Sequence, residues 1–279
     1  MRTPFLRKFL EEISEINNYY HSFSFLWEEF KLENLRNNIQ TEGFTAIIYK
    51  DNPESHRYNV KISELENAAV NTKRFILKSL FLQSYFIYET YLKNTYNFCR
   101  LGKNELPEID PNESIMNQIF ENLNIGNNLS RFDSDTITYL RLRRNRLIHA
   151  GEKTGGEILT TINQKGKLLN KYWSETIRKK SLYGLDFSRK EMLVNDHKEY
   201  IDIFTIYRIL VERIEKIIFT QSMEDSEIKK AMMSYVMKNH FIDKNKIKRD
   251  RYIDKLANTI NHEFNTEFIK GDIDSFVER

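Results

Sequence analysis

From Ser63 to Arg100 the chain contains neither proline nor glycine, and Gly102 follows at once. That single stretch constrains the fold more than any other. Ser63-Glu64-Leu65-Glu66 has the form of a capping box, and nothing after it breaks a helix before the glycine. Between Phe75 and Cys99 apolar and aromatic side chains nearly encircle this predicted helix. A helix apolar on most of its circumference must be central, with bundle neighbours on one side and a face left for a second subunit on the other. Only 9 glycines and 4 prolines occur in 279 residues, and the abundance of Leu, Ile, Lys, Glu, Asn, Phe and Tyr favours helix elsewhere too. The expectation is an all-α bundle around one long helix, with small hairpin or loop insertions. A chain of this length fits one main domain, residues 1–222, and a helical appendage, residues 223–279.

The other elements follow from the same signals. Thr3-Pro4 is a cap and first turn for a helix that places Leu6, Phe9, Leu10, Ile13, Ile16 and Tyr20 on one face. A second helix is predicted next, with Phe23, Leu26, Trp27 and Phe30 inward. Residues 43–62 read as a small hairpin or an irregular loop around Asp51-Asn52-Pro53. Asp110-Pro111 should cap a short helix holding Ile115, Ile119, Phe120 and Leu123, and Ser134-Asp135 should cap the helix after it. The segment beyond Gly151 reads as loops with a hairpin. Asp196 to Glu199 opens another capping-box helix, on which Tyr200, Ile203, Phe204, Tyr207, Val211, Ile214 and Ile218 form a clean stripe expected to face the central helix. Two or three charged helices close the chain, with Met232, Met233, Val236, Phe241, Tyr252, Ile253, Leu256 and Ile260 buried.

The chemistry-bearing stretch is Arg141 to Gly151. It reads as the last turns of a helix, with Gly151 at the place of a left-handed C-terminal cap. At 100° per residue Ile137, Leu140, Leu147 and Ile148 share a face, and Arg144 falls in its middle. A guanidinium facing the interior cannot lose its proton, so it needs an acidic partner or a bound anion. Glu89, set among Phe86, Tyr88, Tyr91 and Leu92 on the central helix, is the natural acidic partner. Lys93 stands four residues after Glu89. Asn145 and His149, also four apart, occupy a flank of the motif helix, and Arg143 and Arg146 point elsewhere.

Residues 141–190 hold thirteen Lys+Arg against four Asp+Glu, although the whole chain carries only +3. Arg141, Arg143, Arg146, Lys153, Lys165 and Lys167 therefore form a candidate surface for a polyanion, with salt-dependent binding. Cys99 is the only cysteine, which excludes an internal disulfide and a thiolate zinc site. The other histidines (His21, His56, His197, His240 and His262) show no metal-ligand spacing with one another. No glycine-rich phosphate loop or nucleophile elbow is present. No cofactor is implied, no apolar run reaches the roughly 18 residues of a membrane span, and a cytoplasmic protein is expected.

Arg144-Asn145-x-x-x-His149-Ala150-Gly151 at the end of a helix in an all-α chain resembles the signature of the HEPN superfamily: an arginine, commonly a polar residue, and a histidine a turn or more later. Glu89-Thr-Tyr-Leu-Lys93 is similar to the Glu-x-x-x-Lys element in the preceding long helix of some HEPN families. The resemblance covers residues 63–220. It implies a HEPN-like helical bundle and a metal-independent endoribonuclease, active as a homodimer whose motif helices face each other, in a toxin or anti-phage defence role. The catalytic set it implies is Arg144, Asn145, His149, Glu89 and Lys93, with RNA as substrate and a regulatory or antitoxin partner. The imidazole of His149 can serve as base or acid. Arg144 offers a planar donor fork for phosphate oxygens, and Asn145 can orient either His149 or the phosphate. In toxins paired with a nucleotidyltransferase antitoxin, a tyrosine often stands where this chain has Gly151, so the resemblance does not carry over inhibition by that route.

Two rival expectations belong to other classes. One is a non-catalytic HEPN-type RNA-binding or scaffold module, with Arg144 a buried ion-pair residue. The other is a purely structural helical protein.

Overall fold

The computed structural model describes residues 2–37, 39, 42–149, 156–178, 180–194, 196–240, 249–269 and 271–273. Among the described residues there is no strand, and the fold is all-α. Helix α1 (Pro4–Arg36) begins as expected, with Thr3 Oγ1 accepting from Leu6 N at 3.2 Å. Its first half buries Leu6, Phe9, Ile13, Ile16 and Tyr20. No break follows, so one continuous helix replaces the two that were expected. Its second half has no buried residue, and Leu26, expected inward, is 66% exposed.

Residues 43–62 form the irregular loop rather than a hairpin of strands. One antiparallel bridge, Phe44 to Lys61, closes it around a single turn, α2 (Thr45–Ile48). The long helix α3 (Ile62–Gly102) starts directly from that bridge. Lys61 is its cap, without a side-chain bond, so Ser63 lies inside the first turn and the expected capping box is not made. The helix runs 41 residues and touches α1, and the later helices α4 (Ile115–Asn122), α6 (Arg131–His149), α8 (His197–Ile217) and α9 (Asp225–Asn239) pack on it. Its central role is therefore as the sequence suggests.

Two further caps shift. Ser114, not Asp110, caps α4; Asp110 instead turns the loop by accepting from Asn112 N at 2.8 Å. After the short α5 (Ile125–Asn128), Ser130 Oγ accepts from Asp133 N at 3.1 Å as α6 starts, so Ser134 and Asp135 are already helical. Asp133 is buried, and it accepts from Tyr172 at 2.8 Å and from Arg213 at 2.6 Å, tying three helices together.

The largest departure is α7 (Glu157–Thr176), a regular helix where loops and a hairpin were expected. Ile158, Ile162, Leu169 and Trp173 give it one apolar face, packed on α6, with Trp173 Nε1 donating to Thr136 Oγ1 at 2.8 Å. Gly166 costs helix propensity but serves packing. A Cβ there would sit 2.7 Å from both Phe187 O and Ser188 Cα, so only glycine admits the backbone that crosses it. Helix α8 is capped by Asp196, which accepts from Lys198 N at 3.1 Å, and all seven residues of its expected stripe are buried. Tyr207 meets Tyr88 of α3 with ring centroids 5.4 Å apart, and Tyr200 donates to Leu80 O at 3.2 Å. A π-helical turn (Ile218–Ser222) ends α8.

Helix α9 and α10 (Arg249–Phe264) bury the expected Met232, Met233, Val236, Tyr252, Ile253, Leu256 and Ile260; Phe241 lies outside the described residues. One apolar cluster reaches from Leu6 to Ile273. Among the described residues no helix is long and apolar enough to cross a membrane.

Candidate functional site

The second half of α6 lies against α3, and two consecutive arginines there meet two aromatic residues one turn apart. The Arg143 guanidinium carbon stands 5.3 Å from the Phe81 ring centroid, and that of Arg144 stands 5.5 Å from the Tyr85 centroid. Both distances are within cation–π range. Phe81 and Tyr85 are four apart on α3, so they present their rings along one line.

The two arginines differ in what else they touch. Arg143 is completely buried. Its Nε donates to Met192 O at 2.7 Å, its Nη2 donates to Leu193 O at 3.2 Å, and the same Nη2 lies 2.7 Å from Glu199 Oε1 in an ion pair. Arg189 pairs with the other oxygen of Glu199. Glu199 is thereby drawn inward and does not complete the reciprocal half of the α8 capping box. This overturns two expectations. The interior arginine is Arg143 rather than Arg144, and Arg143 is not available to a polyanion. The buried face of α6 runs through Thr136, Tyr139, Leu140, Arg143 and Leu147, and Ile148 is 45% exposed. The face is thus turned by about one residue, because Asp133 and Thr136 are held by α7 and α8.

Arg144 is only partly buried. Among the described residues it donates one hydrogen bond, from Nη1 to Asn145 Oδ1 at 3.0 Å. A guanidinium has five N–H donors, so most of this fork is uncommitted. Asn145 is joined to Arg144 and not to His149. Glu89 is the acidic neighbour expected, but at Coulombic range: among the described residues it makes no direct ion pair with Arg144. Burial lifts its carboxyl above the ordinary value, and the Arg144 charge pulls it back. His149 is the last residue of α6 and is exposed, and Lys93 is exposed on α3.

The expected basic surface is largely engaged. Lys165 Nζ lies 2.6 Å from Asp135 Oδ1, and Arg141 Nη2 is 3.9 Å from Glu157 Oε1. Arg146 is partly buried beside Gly156, where an added Cβ would meet its Nη2 at 2.9 Å. Lys167 is exposed, and Lys153, like Ala150 and Gly151, lies outside the described residues.

Tyr85 belongs to this site although the motif does not include it. Its signal in the sequence is its place one turn before Glu89, facing the same side of α3 as Phe81. Tyr85 is 2% exposed and feels the charges of Glu89, Arg144 and Arg141. The arrangement supplies a fixed, partly open guanidinium with spare donors, a carboxyl nearby and an exposed imidazole at a helix terminus. Such a set suits an oxyanion carrying more than one acceptor, phosphate above all. Comparison of the chain with protein-family models, with curated proteins and with solved structures finds no match.

Proposed function

We propose that the chain is a cytoplasmic, metal-independent endoribonuclease of the HEPN type, working as a homodimer in a toxin-like or anti-phage defence role. The observation that carries this is the environment of Arg144: seated on α3, yet with most of its donors uncommitted among the described residues. In the proposed reaction a base removes the 2′-hydroxyl proton, O2′ attacks phosphorus, and the 5′-oxygen leaves with a proton from an acid. The product ends are a 2′,3′-cyclic phosphate and a free 5′-hydroxyl. His149 is the base or the acid, and Arg144 stabilises charge on the non-bridging oxygens. Asn145 holds the Arg144 fork from one side.

Arg144 and His149 stand five residues apart, about 140° around a straight helix. Because α6 stays regular up to His149, two facing copies are the simpler way to bring both groups to one phosphate. The rival RNA-binding or scaffold module gains little from the surface, since Arg143 is interior and Lys165 is paired with Asp135.

The test is incubation of purified protein with RNA in EDTA. Wild type is expected to leave 2′,3′-cyclic phosphate ends, and Arg144→Ala and His149→Ala are each expected to lose about 100-fold or more in rate. RNA left intact by wild type, or cut equally well by His149→Ala, would sink the proposal.

A further inference from the structure

We infer that Tyr85 is the positioning residue that seats Arg144, its ring face fixing the guanidinium against α3 for contact with the phosphate. The kinetic consequence rests on the ribonuclease reading of the site; the seat itself does not. An arginine side chain loses substantial rotamer freedom when it is held, so a fixed guanidinium near a surface needs a partner that does not move. Asn145 is a weak candidate for that partner, being a neighbour on the same helix with its own side-chain freedom. Among the described residues Glu89 makes neither a hydrogen bond nor an ion pair with Arg144, and acts on it only through its charge. Tyr85 is the rigid element: it is 2% exposed, its ring is edge-on to Tyr88 at 6.2 Å, and Tyr88 is wedged against Tyr207 of α8 at 5.4 Å.

The adjacent pair shows what the seat does by itself. Arg143 over Phe81 has its ring contact plus two carbonyls and a buried carboxylate, and it is sealed inside. Arg144 over Tyr85 has the ring and one amide oxygen. Thus the ring restrains the guanidinium while leaving donors for a ligand. Burial pushes the Tyr85 hydroxyl well above the usual phenol range, with Glu89 adding to the effect and Arg144 and Arg141 opposing it. The ring therefore stays neutral, and its negative face is set by its π-electrons.

The test keeps shape and changes only the ring electrons. Tyr85→Phe is expected to hold kcat within about twofold, and phenylalanines carrying increasing ring fluorine at position 85 to lower kcat stepwise. With the fully fluorinated ring the loss should reach about tenfold, with KM for RNA and thermal stability changing less. A flat kcat across the series, in a protein that Arg144→Ala inactivates, would overturn the inference. Arginine side-chain NMR reads the seat without any reaction. The Arg144 Nε–Hε resonance should be shifted upfield by the ring in wild type and Tyr85→Phe and lose that shift in Tyr85→Leu. A mobile, unshifted Arg144 in wild type removes the seat whether or not RNA is cut. A shifted Arg144 in a protein that leaves RNA intact keeps the seat and rejects the nuclease.

Discussion

Arg143 and Arg144 differ by 100° of helical rotation, and that rotation separates a structural arginine from a candidate catalytic one. Arg143 compensates Glu199, a carboxylate 1% exposed, with Arg189 on its other oxygen. Removing one partner of a buried pair leaves an under-compensated charge, which costs about 3–5 kcal/mol. Arg143→Met should therefore destabilise the protein by about 3 kcal/mol, toward the low end because Arg189 remains. Arg144→Ala, which removes one hydrogen bond and the ring contact with Tyr85 at a partly open position, should cost about 1–2 kcal/mol. Urea unfolding of the two variants measures the contrast, and equal losses would mean that both arginines are structural. The sequence locates the arginine pair and the need for an acidic partner. It does not resolve which arginine turns inward, because one residue of rotation depends on Asp133 and Thr136 being gripped by α7 and α8.

Helix starts show why some elements were legible and others were not. Thr3 and Asp196 act as caps, each side chain accepting from a backbone N–H of its own first turn, whereas Ser63 is overtaken by the Phe44–Lys61 bridge, which delivers the chain already poised at Ile62. Helix α7 was hidden by polar composition and by Gly166, whose role appears only when the 187–188 backbone is seen crossing it. At the start of α8, His197 joins that helix to α1. It stacks on Tyr20 at 4.2 Å with rings 6° from parallel, meets His21 edge-on at 4.6 Å, and lies 3.1 Å from Asn17 Oδ1 through Nε2. Burial, with the neighbouring charges of His21 and Lys73, lowers the His197 pKa from 6.5 to about 4, and Asp196 opposes them. Between those values the unfolded chain takes up a proton that the folded chain refuses. The stability this site contributes is therefore complete above pH 6.5 and is lost as pH falls toward 4. Discounted for partial exposure, the loss is about 1–2 kcal/mol. His197→Gln should flatten that part of the stability–pH curve, as read by thermal melts across the window; an unchanged slope would show that the stack does not control protonation.

At the scale of the whole molecule, the bundle leaves apolar side chains exposed on α3 and α6, the two helices that carry the site. Phe75 is 70% exposed, Phe86 66% and Ile148 45%. Phe75, Leu82 and Phe86 follow spacings of seven and four on α3, so they share one stripe, and Glu89 and Lys93 continue it. Ile148 lies one turn after Arg144 on the neighbouring α6. Covering the exposed fraction of Phe75, Phe86 and Ile148 on two copies, at roughly 1.5–3 kcal/mol for a whole side chain, would contribute a gross term of about 5–11 kcal/mol. That is of the same order as an association cost of about 4–15 kcal/mol. The same two-fold contact would set one copy's motif helix near the other's, which is the geometry that a shared phosphate site requires of Arg144 and His149. Wild type at micromolar concentration should therefore sediment as a dimer, and Phe86→Glu should shift it to monomer and lower RNA cleavage together, while its melting temperature at high dilution stays close to that of wild type. A wild type that remains monomeric while cleaving RNA would remove the two-copy site and require both groups to act within one chain.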